Sequence, residues 1–327
     1  MSANSYTIES LKRFPATLGR GIGQVMFQDN ILTGFIFLIG IFWGAYEEGI
    51  GIVAWGALVG VLASTLTGYI LHLPDIRGAQ GLWGFNGVLV GCAFPTFLGN
   101  TLWMWLALIL CSAMTTWVRT GMDNILSRWK ISSLTLPFVL STWVFLLAAR
   151  LFHGMPPVNM GTPEFAVGAN EALDLTFGGI VVYWLKGISQ VFLINSWVTG
   201  IFFLVALAVS NWRAAIWAAV ASAVALATVI MWKGPGEDIA NGLYGFSAVL
   251  TGIALGATFC NNSWKASVWT LIAIVATVFV QGATNAFFSP MGLPTLTGPF
   301  CLATWIFLLP DYKFFRPLPP KPQPAKK

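Results

Sequence analysis

Two stretches far apart in the chain have nearly the same sequence. Residues 81–91 read GLWGFNGVLVG, and residues 242–252 read GLYGFSAVLTG. Two further blocks repeat in the same order, 21–34 with 187–200 and 135–138 with 297–300. The matching blocks lie 161 to 166 residues apart. Such regular self-similarity indicates an internal duplication, so the two halves of the chain are expected to fold in related ways.

The composition places this duplication in a membrane. Hydrophobic residues make up 57% of the 327 residues and charged residues only 9%, whereas a soluble domain carries about 25% charged residues. Some apolar segments, such as residues 50–71, reach the roughly 20 residues that cross the hydrocarbon core of a bilayer. We therefore predict an all-α polytopic membrane protein.

The repeats divide the chain into five parts. They are a cytoplasmic N-terminal lead-in (1–20), a first membrane repeat (21–151), an extracytoplasmic linker (152–186), a second membrane repeat (187–309) and a cytoplasmic tail (310–327) that we expect to be disordered. Each repeat is predicted to hold about five transmembrane helices plus re-entrant or half helices, because glycines and prolines interrupt several apolar segments. Broken helix ends are tolerated in a bilayer only where they line a cavity or are buried in protein.

An odd number of crossings per half inverts the second half relative to the first. With the amino terminus inside, the predicted outer loops hold only Arg150, Lys186 and Lys233, and the other fourteen basic residues lie inside. This excess of cytoplasmic lysine and arginine supports a multi-pass topology with both termini in the cytoplasm. The short tails and the lack of extra domains favour a bacterial inner-membrane protein.

Inverted repeats that meet at a central pathway are typical of transport proteins. No predicted spanning segment carries a charged residue in its interior, and residues 266–310 contain none at all. Proton- and sodium-coupled carriers usually place ionisable residues there, so the pattern favours passive conduction of a neutral solute. A coupled carrier stays open as an alternative, since backbone carbonyls alone can hold sodium.

Other function classes find little support. The only histidines are His72 and His153, and the four cysteines lie in apolar stretches without metal-ligand spacing, so we predict no catalytic residue, metal or cofactor. The formal charge of +5 comes from residues spread over loops and tails, so no nucleic-acid partner is expected. The chain also lacks the paired pore histidines of ammonium channels and the Asn-Pro-Ala boxes of aquaporins.

Polar residues that the duplication preserves are the candidate pore residues. The preserved pairs are Gln24 with Gln190, Thr135 with Thr297, and Thr142 with Thr304. A polar group in apolar sequence needs a partner, and hydroxyls within membrane helices usually bond to their own helix or to a neighbour. We interpret Thr142 and Thr304 in that way. Thr135 and Thr297 each stand two residues before a proline, which favours a position in the pore.

A preserved aromatic and aliphatic pair is a second candidate. Phe85 with Leu89 one turn later recurs as Phe246 with Leu250. Such residues often only pack within a membrane helix. Glycines flank both copies, however, and glycine permits a bent chain or a close backbone approach, so we predict that these residues line the pore.

These motifs resemble those of the urea transporter family. The family signature Leu-Pro-x-x-Thr-x-Pro-Phe stands at residues 293–300 as LPTLTGPF, and the Gly-Leu-x-Gly-Phe element is present in both halves. The resemblance covers residues 21–309. Two departures are visible: the first-half signature reads ISSLTLPF at 131–138 and lacks Leu-Pro, and Gln190 stands where some relatives have glutamate.

The resemblance implies a homotrimer in the lipid bilayer, with one central pore in each subunit between its inverted halves. The pore would be a narrow slot lined by Phe and Leu faces and by oxygen acceptors. Carried over residue by residue, one constriction holds Phe27, Phe85 and Leu89, and the other holds Val191, Phe246 and Leu250. Gln24 and Gln190 would form the polar lips, and Thr135 and Thr297 the middle.

The function that the resemblance implies is passive, channel-like transport of urea down its concentration gradient. The alternatives are a channel for other small neutral amides or for ammonia, an ion-coupled secondary transporter, and a membrane scaffold without transport activity. The scaffold would have no use for the paired pore-like motifs.

Overall fold

The computed structural model describes residues 3–71, 73, 78, 80–168 and 171–313, with side-chain surroundings from residue 13 onward. The predicted tail beyond residue 313 and His72 lie outside the described residues. The described part folds into helices that follow the two repeats, in the same order in each half.

The first half contains six helices within the described residues. They are α1 (Ala3–Gln24), α2 (Ile31–Glu47), α3 (Ile52–Ile70), α4 (Phe85–Phe97), α5 (Leu102–Leu126) and α6 (Leu136–Ala149). Most of the predicted lead-in is therefore the helix α1, which contains Pro15 and runs into the first repeat without a break.

The second half repeats this order and adds one short helix. Its described helices are α7 (Phe177–Ser189), α8 (Trp197–Ser210), α9 (Trp212–Met231), the added α10 (Gly236–Ala240), α11 (Phe246–Ile253), α12 (Trp264–Phe288) and α13 (Gly298–Leu308). A π-helical segment, Ala254–Phe259, extends α11. The predicted linker 152–186 ends earlier than expected, because its last ten residues form most of α7.

Side-chain caps show why the helices begin where they do. Asn30 Oδ1 accepts a hydrogen bond from the Thr33 amide at 3.1 Å, and Thr101 Oγ1 accepts one from the Met104 amide at 3.1 Å. These bonds satisfy amides that have no partner within the first turn of a helix. Pro137 lies in the first turn of α6, where its missing amide hydrogen leaves no bond unmade.

The apolar helices of each half differ in length. Among the described residues, four helices are long and apolar enough to cross a membrane alone: α3, α5 with the turn after it, α9, and α12 with the turn after it. Helices α7 and α8 form a pair bent by 71° that qualifies only as a broken span. The remaining apolar helices have 10–17 residues. This mixture of full spans and short helices confirms the predicted polytopic all-α fold with half helices.

Helix α5 is longer than its uncharged stretch. That stretch ends at Val118, and the helix continues through Arg119 to Leu126. Arg119 is 4% exposed, and its Nη2 lies 3.1 Å from Asp123 Oδ2, one turn further along the same helix. The carboxylate compensates the guanidinium charge, which is how an arginine is accommodated inside an apolar helix.

Reciprocal hydrogen bonds show that a two-fold symmetry relates the two halves. Thr33 Oγ1 in α2 donates to the Ala206 carbonyl in α8 at 2.9 Å, and Thr199 Oγ1 in α8 donates to the Gly40 carbonyl in α2 at 2.8 Å. The four residues are equivalent pairs under the 166-residue offset. Equal contacts in both directions show that the duplication visible in the sequence is also a symmetry of the fold.

Glycines bring α3 and α4 into backbone contact. A Cβ atom added to Gly60 would lie 2.0 Å from the Gly87 carbonyl oxygen, and one added to Gly56 would lie 2.1 Å from the Gly91 carbonyl oxygen. Close approach between small residues is the usual way in which membrane helices associate. This contact fixes α4, which begins at Phe85 and carries Leu89 one turn later.

Candidate functional site at the contact between the halves

The two halves meet at Thr135 and Thr297. Their hydroxyl oxygens lie 2.7 Å apart and are hydrogen-bonded, although 162 residues separate them in the chain. Both residues are 3% exposed. We call this pair the central contact. Because each threonine is the repeat equivalent of the other, the contact lies at the two-fold axis that relates the two halves.

Each threonine of the central contact occupies the N-cap position of a short helix. Thr135 precedes α6 and Thr297 precedes α13, and neither side chain bonds to its own helix amides. Two helix amino termini therefore face each other across the contact. Each terminus carries a partial positive charge of about half an elementary charge, so the centre of the molecule disfavours cations without using a charged side chain.

The central contact keeps the capacity to accept hydrogen bonds. A hydroxyl has one hydrogen and two lone pairs. Thr135 Oγ1 also lies 3.3 Å from Cys301 Sγ, and either atom of that pair can donate. In either direction of the threonine–threonine bond, lone pairs remain on the two oxygens. The contact can therefore serve an amide N–H group that has lost its water.

Phe85 and Phe246 occupy equivalent places at the start of α4 and α11. Each is the first residue of its helix, preceded by a glycine, and Leu89 and Leu250 follow one turn later. Phe85 is 7% exposed, and both leucines are fully buried. The four side chains belong to or pack against one hydrophobic core that includes residues of both halves. All four side chains therefore lie in the interior of the molecule, and their role in a constriction stays a prediction.

Glycines hold these helix starts against α1 and α7. Gly81 has a φ of +91° and Gly242 a φ of +73°. A Cβ added to Gly81 would lie 2.4 Å from the Gly21 amide nitrogen, and one added to Gly242 would lie 2.5 Å from the Gly187 amide nitrogen. Both the backbone angle and the space exclude a side chain. The flanking glycines that suggested a pore role therefore have a definite structural reason.

The two glutamines make equivalent bonds at the ends of α1 and α7. Gln24 Nε2 donates to the Gln80 carbonyl at 3.0 Å, and Gln190 Nε2 donates to the Asn241 carbonyl at 2.8 Å. Both carbonyls directly precede the positive-φ glycines. Each glutamine is thereby fixed beside the loop that leads to its phenylalanine, with its own carbonyl oxygen left to accept other bonds. Their role as polar lips stays a prediction.

Phe27 lies next to the signature helix of the other half. Its ring centroid is 6.1 Å from that of Phe300 in α13 and 5.6 Å from that of Phe259, both with edge-to-face geometry. Its φ of +63° is unusual for a phenylalanine. Its repeat equivalent is Leu193, with a φ of +59°.

The predicted pairing of Phe27 with Val191 therefore differs from the backbone equivalence. Under the 166-residue offset Val191 matches Val25, and both are almost fully buried. Phe27 and Val191 were assigned from the family resemblance, whereas the 166-residue offset pairs Phe27 with Leu193. Phe300, the last residue of the signature motif, and Cys301, which follows it, were not singled out in the sequence either.

Asn86 supports the first signature helix and was not singled out in the sequence. Its Oδ1 accepts a hydrogen bond from the Phe138 amide in the first turn of α6 at 3.2 Å. The residue is 1% exposed. It follows Phe85 directly, so this bond connects the start of α4 to the helix that begins at the central contact. The sequence GFNG contains only this one polar residue, which does not by itself indicate a hydrogen bond to another helix.

The two ends of the candidate pathway carry different charges. Beside Gln24, Arg20 Nε lies 3.3 Å from Asp29 Oδ1. Beside Asn241, the short helix α10 carries Glu237 and Asp238, and burial together with the charges of Glu237 and Glu171 raises the pKa of Asp238. The end near Gln190 therefore combines these carboxylates with Lys186, one turn before Gln190, and the end near Gln24 holds an ion pair.

The described residues contain no group of three or more His, Cys, Asp or Glu side chains that could hold a metal ion. The sulfur of Cys301 beside Thr135 is a single soft ligand among hydroxyls and apolar groups. The arrangement suits the passage of a small neutral molecule that offers hydrogen-bond donors.

Comparison with known proteins agrees over nearly the whole described chain. A family model described as urea transporter matches residues 16–312. Urea transporter 1 of Ovis aries is 30% identical over 298 residues, which are 89% of this chain and 75% of that protein. Urea transporter 1 of Capra hircus matches with the same values, and that of Mus musculus is 29% identical over 297 residues.

Proposed function

This chain belongs to the urea transporter family, and from that membership we propose that it conducts urea passively, down its concentration gradient, through a slot between its two halves. The observation that carries the proposal is the central contact, where two buried hydroxyls meet 2.7 Å apart between two helix amino termini. The contact belongs to both repeats at once, as a pore between the halves requires.

The proposed slot is lined by ten uncharged residues. Gln24 and Gln190 form its lips, and Thr135 and Thr297 its middle. The constrictions hold the apolar residues Phe27, Phe85, Leu89, Val191, Phe246 and Leu250. This assignment rests on the burial and the repeat equivalence of these side chains and on their resemblance to the family's motifs.

The chemistry of such a slot suits urea. Urea is planar and neutral, so phenyl faces can enclose it, while its N–H groups need acceptors as water is removed. Each hydrogen bond left unmade would cost about 1 to 3 kcal/mol. Threonine oxygens and glutamine carbonyls can supply acceptors in succession, and weak binding at several sites permits fast conduction.

Ions would meet a barrier in the same slot. Moving a charge out of water without a partner is costly, and none of the ten lining residues carries a charge. The facing amino termini of α6 and α13 add a positive potential that opposes cations. Arg119 and Asp123 are paired with each other, so their presence in α5 does not by itself favour the ion-coupled alternative.

A concentration experiment separates passive conduction from coupling. Proteoliposomes with equal urea on both sides and an inward proton or sodium gradient are expected to show no net accumulation of labelled urea. Accumulation above the outside concentration would establish coupled transport and contradict the proposal. Equilibration of ammonia or acetamide as fast as urea would favour the broader amide or ammonia channel.

Replacing the aromatic rings is expected to widen the slot. Phe85→Ala and Phe246→Ala each remove a ring from a constriction, so discrimination between urea and methylurea should fall about ten-fold or more, in the range that one methyl group contributes to fit in an apolar site. The measurement is the ratio of the two permeabilities in proteoliposomes. Phe35→Ala, which changes a ring that is 45% exposed in α2, is the control. If the ratio in both pore variants equals that of the parent, the constriction assignment is wrong.

We further propose a homotrimer in the inner membrane, with one pore per subunit and both termini in the cytoplasm. The family resemblance and the distribution of basic residues support this assembly and topology. Native mass spectrometry should give the mass of three chains, and a C-terminal fusion to a reporter that folds only in the cytoplasm should fluoresce. A monomeric mass or a dark fusion would contradict the respective part.

A further inference from the structure

A hydrogen-bonded group on α5 holds the loop that leads to the central contact. Asp123 Oδ1 accepts a hydrogen bond from the Ser133 amide at 3.0 Å, and its Oδ2 is paired with Arg119 at 3.1 Å. Ser133 is fully buried and stands two residues before Thr135. The pair Arg119 and Asp123 thus binds the backbone immediately ahead of the pore threonine.

The second half contains the same group in a neutral form. Gln281 and Asn285 are the repeat equivalents of Arg119 and Asp123, and Gln281 Nε2 donates to Asn285 Oδ1 at 2.8 Å. Thr295, the equivalent of Ser133, bonds to both through its hydroxyl, at 2.9 Å and 3.1 Å. We call each set of three residues a loop clamp.

Each loop held by a clamp contains a leucine in an unfavourable backbone conformation. Between the clamp and the pore threonine lie Leu134, with a φ of +53°, and Leu296, with a φ of +52°. Leucine rarely adopts this left-handed region, and such a residue persists only where its surroundings fix it. Tight turns close each loop, with the Leu136 amide 3.1 Å from the Ser133 carbonyl and the Gly298 amide 3.1 Å from the Thr295 carbonyl.

The opposite half binds each loop from the other side. Trp305 Nε1 donates to the Ser132 carbonyl at 2.9 Å, and Trp143 Nε1 donates to the Pro294 carbonyl at 2.8 Å. Each loop therefore lies between the clamp of its own half and a tryptophan of the other. A shift of either loop moves one threonine relative to its partner at the central contact.

We propose that the two loop clamps are positioning groups that set the geometry of the central contact and thereby the selectivity of the slot. This inference rests on the proposed function. It also assigns a role to the buried charges of Arg119 and Asp123 in α5. Their salt bridge holds the loop before Thr135, as the amide pair Gln281 and Asn285 holds the loop before Thr297. The charges themselves are then dispensable, provided that an acceptor for the Ser133 amide remains.

Two double variants test whether the first clamp needs its charges or only an acceptor for the Ser133 amide. Arg119→Gln/Asp123→Asn converts the first clamp to the chemistry of the second, and Arg119→Gln/Asp123→Ala removes both charges together with the acceptor. Neither leaves an unpaired buried charge, and the variants differ only in one side-chain amide. The readouts are urea permeability and the urea-to-methylurea permeability ratio, which does not depend on the fraction of folded protein.

The Asn variant is expected to retain urea permeability within about two-fold of the parent and an unchanged ratio. The Ala variant is expected to lose about ten-fold in urea permeability and to discriminate less between the solutes. A parental ratio in the Ala variant, or equal losses in both variants, would overturn the proposal.

The second clamp supplies an independent test. Thr295→Val removes the hydroxyl that bonds to Gln281 and Asn285 while leaving all charges of the chain unchanged, and it should lower the same ratio. A folded Thr295→Val protein with the parental ratio would overturn the proposal even if the α5 variants failed to fold. A parent protein that does not conduct urea would instead refute the proposed function.

Discussion

Replacing both central threonines by valine, in Thr135→Val/Thr297→Val, is expected to lower urea permeability about five-fold to more than a hundred-fold. Valine is similar to threonine in shape but has no hydroxyl, so the acceptors in the middle of the proposed slot disappear. A urea N–H group then passes this point without a bond, at a cost of about 1 to 3 kcal/mol. The measurement is urea efflux from proteoliposomes, per folded protein.

The chain offers a matched control on the same two helices. Thr142 and Thr304 are also buried repeat equivalents, at 0% exposure, but lie two turns further along α6 and α13. Thr142→Val/Thr304→Val removes the same number of hydroxyls away from the contact, so urea permeability should stay near that of the parent. Equal losses in the two double variants would show that the contact has no special role.

Adding one methyl group at Gly60 is expected to lower the stability of the folded protein strongly. In Gly60→Ala the new Cβ would lie 2.0 Å from the Gly87 carbonyl oxygen and 3.1 Å from the Gly91 Cα, both in α4. Backbone cannot rotate away as a side chain can, so α3 and α4 must separate. Overpacking of this kind costs about 3 kcal/mol. The fraction of protein that elutes as a folded species and its melting temperature in detergent measure the effect.

Gly121 permits the same substitution in open space. No heavy atom lies within 4 Å of a Cβ added there, and alanine favours a helix over glycine by up to about 1 kcal/mol. Gly121→Ala in α5 should therefore be neutral or slightly stabilising. A Gly60→Ala protein as stable as Gly121→Ala would contradict the close contact between α3 and α4.

Much of the fold follows from features that are local in the sequence. The repeats predicted equivalent helices, and Pro137 marked the first turn of α6 because proline tolerates only that position in a helix. The pairing of Thr135 with Thr297 was also foreseeable, since a two-fold exchange brings equivalent residues near its axis together. Among the predicted site residues, those that repeat with the same type in both halves take equivalent places in the structure.

The remaining features depend on contacts that the sequence does not display. Arg119 suggested a helix end because a lone charge is unfavourable in an apolar span; the compensating residue, Asp123, became recognisable only once both lay on one helix face. The positive φ of Phe27 and Leu193 is imposed by packing and not by residue type. The bonds from Trp143 and Trp305 to the opposite half likewise depend on tertiary structure.

The most direct test of the account is stopped-flow light scattering on proteoliposomes that contain the purified protein, with urea and glycerol compared in the absence of any ion gradient. The account predicts fast urea equilibration above that of protein-free liposomes, with glycerol no faster than in those liposomes. Urea flux that appears only when a proton or sodium gradient is imposed, or glycerol flux equal to urea flux, would contradict a passive slot selective for urea.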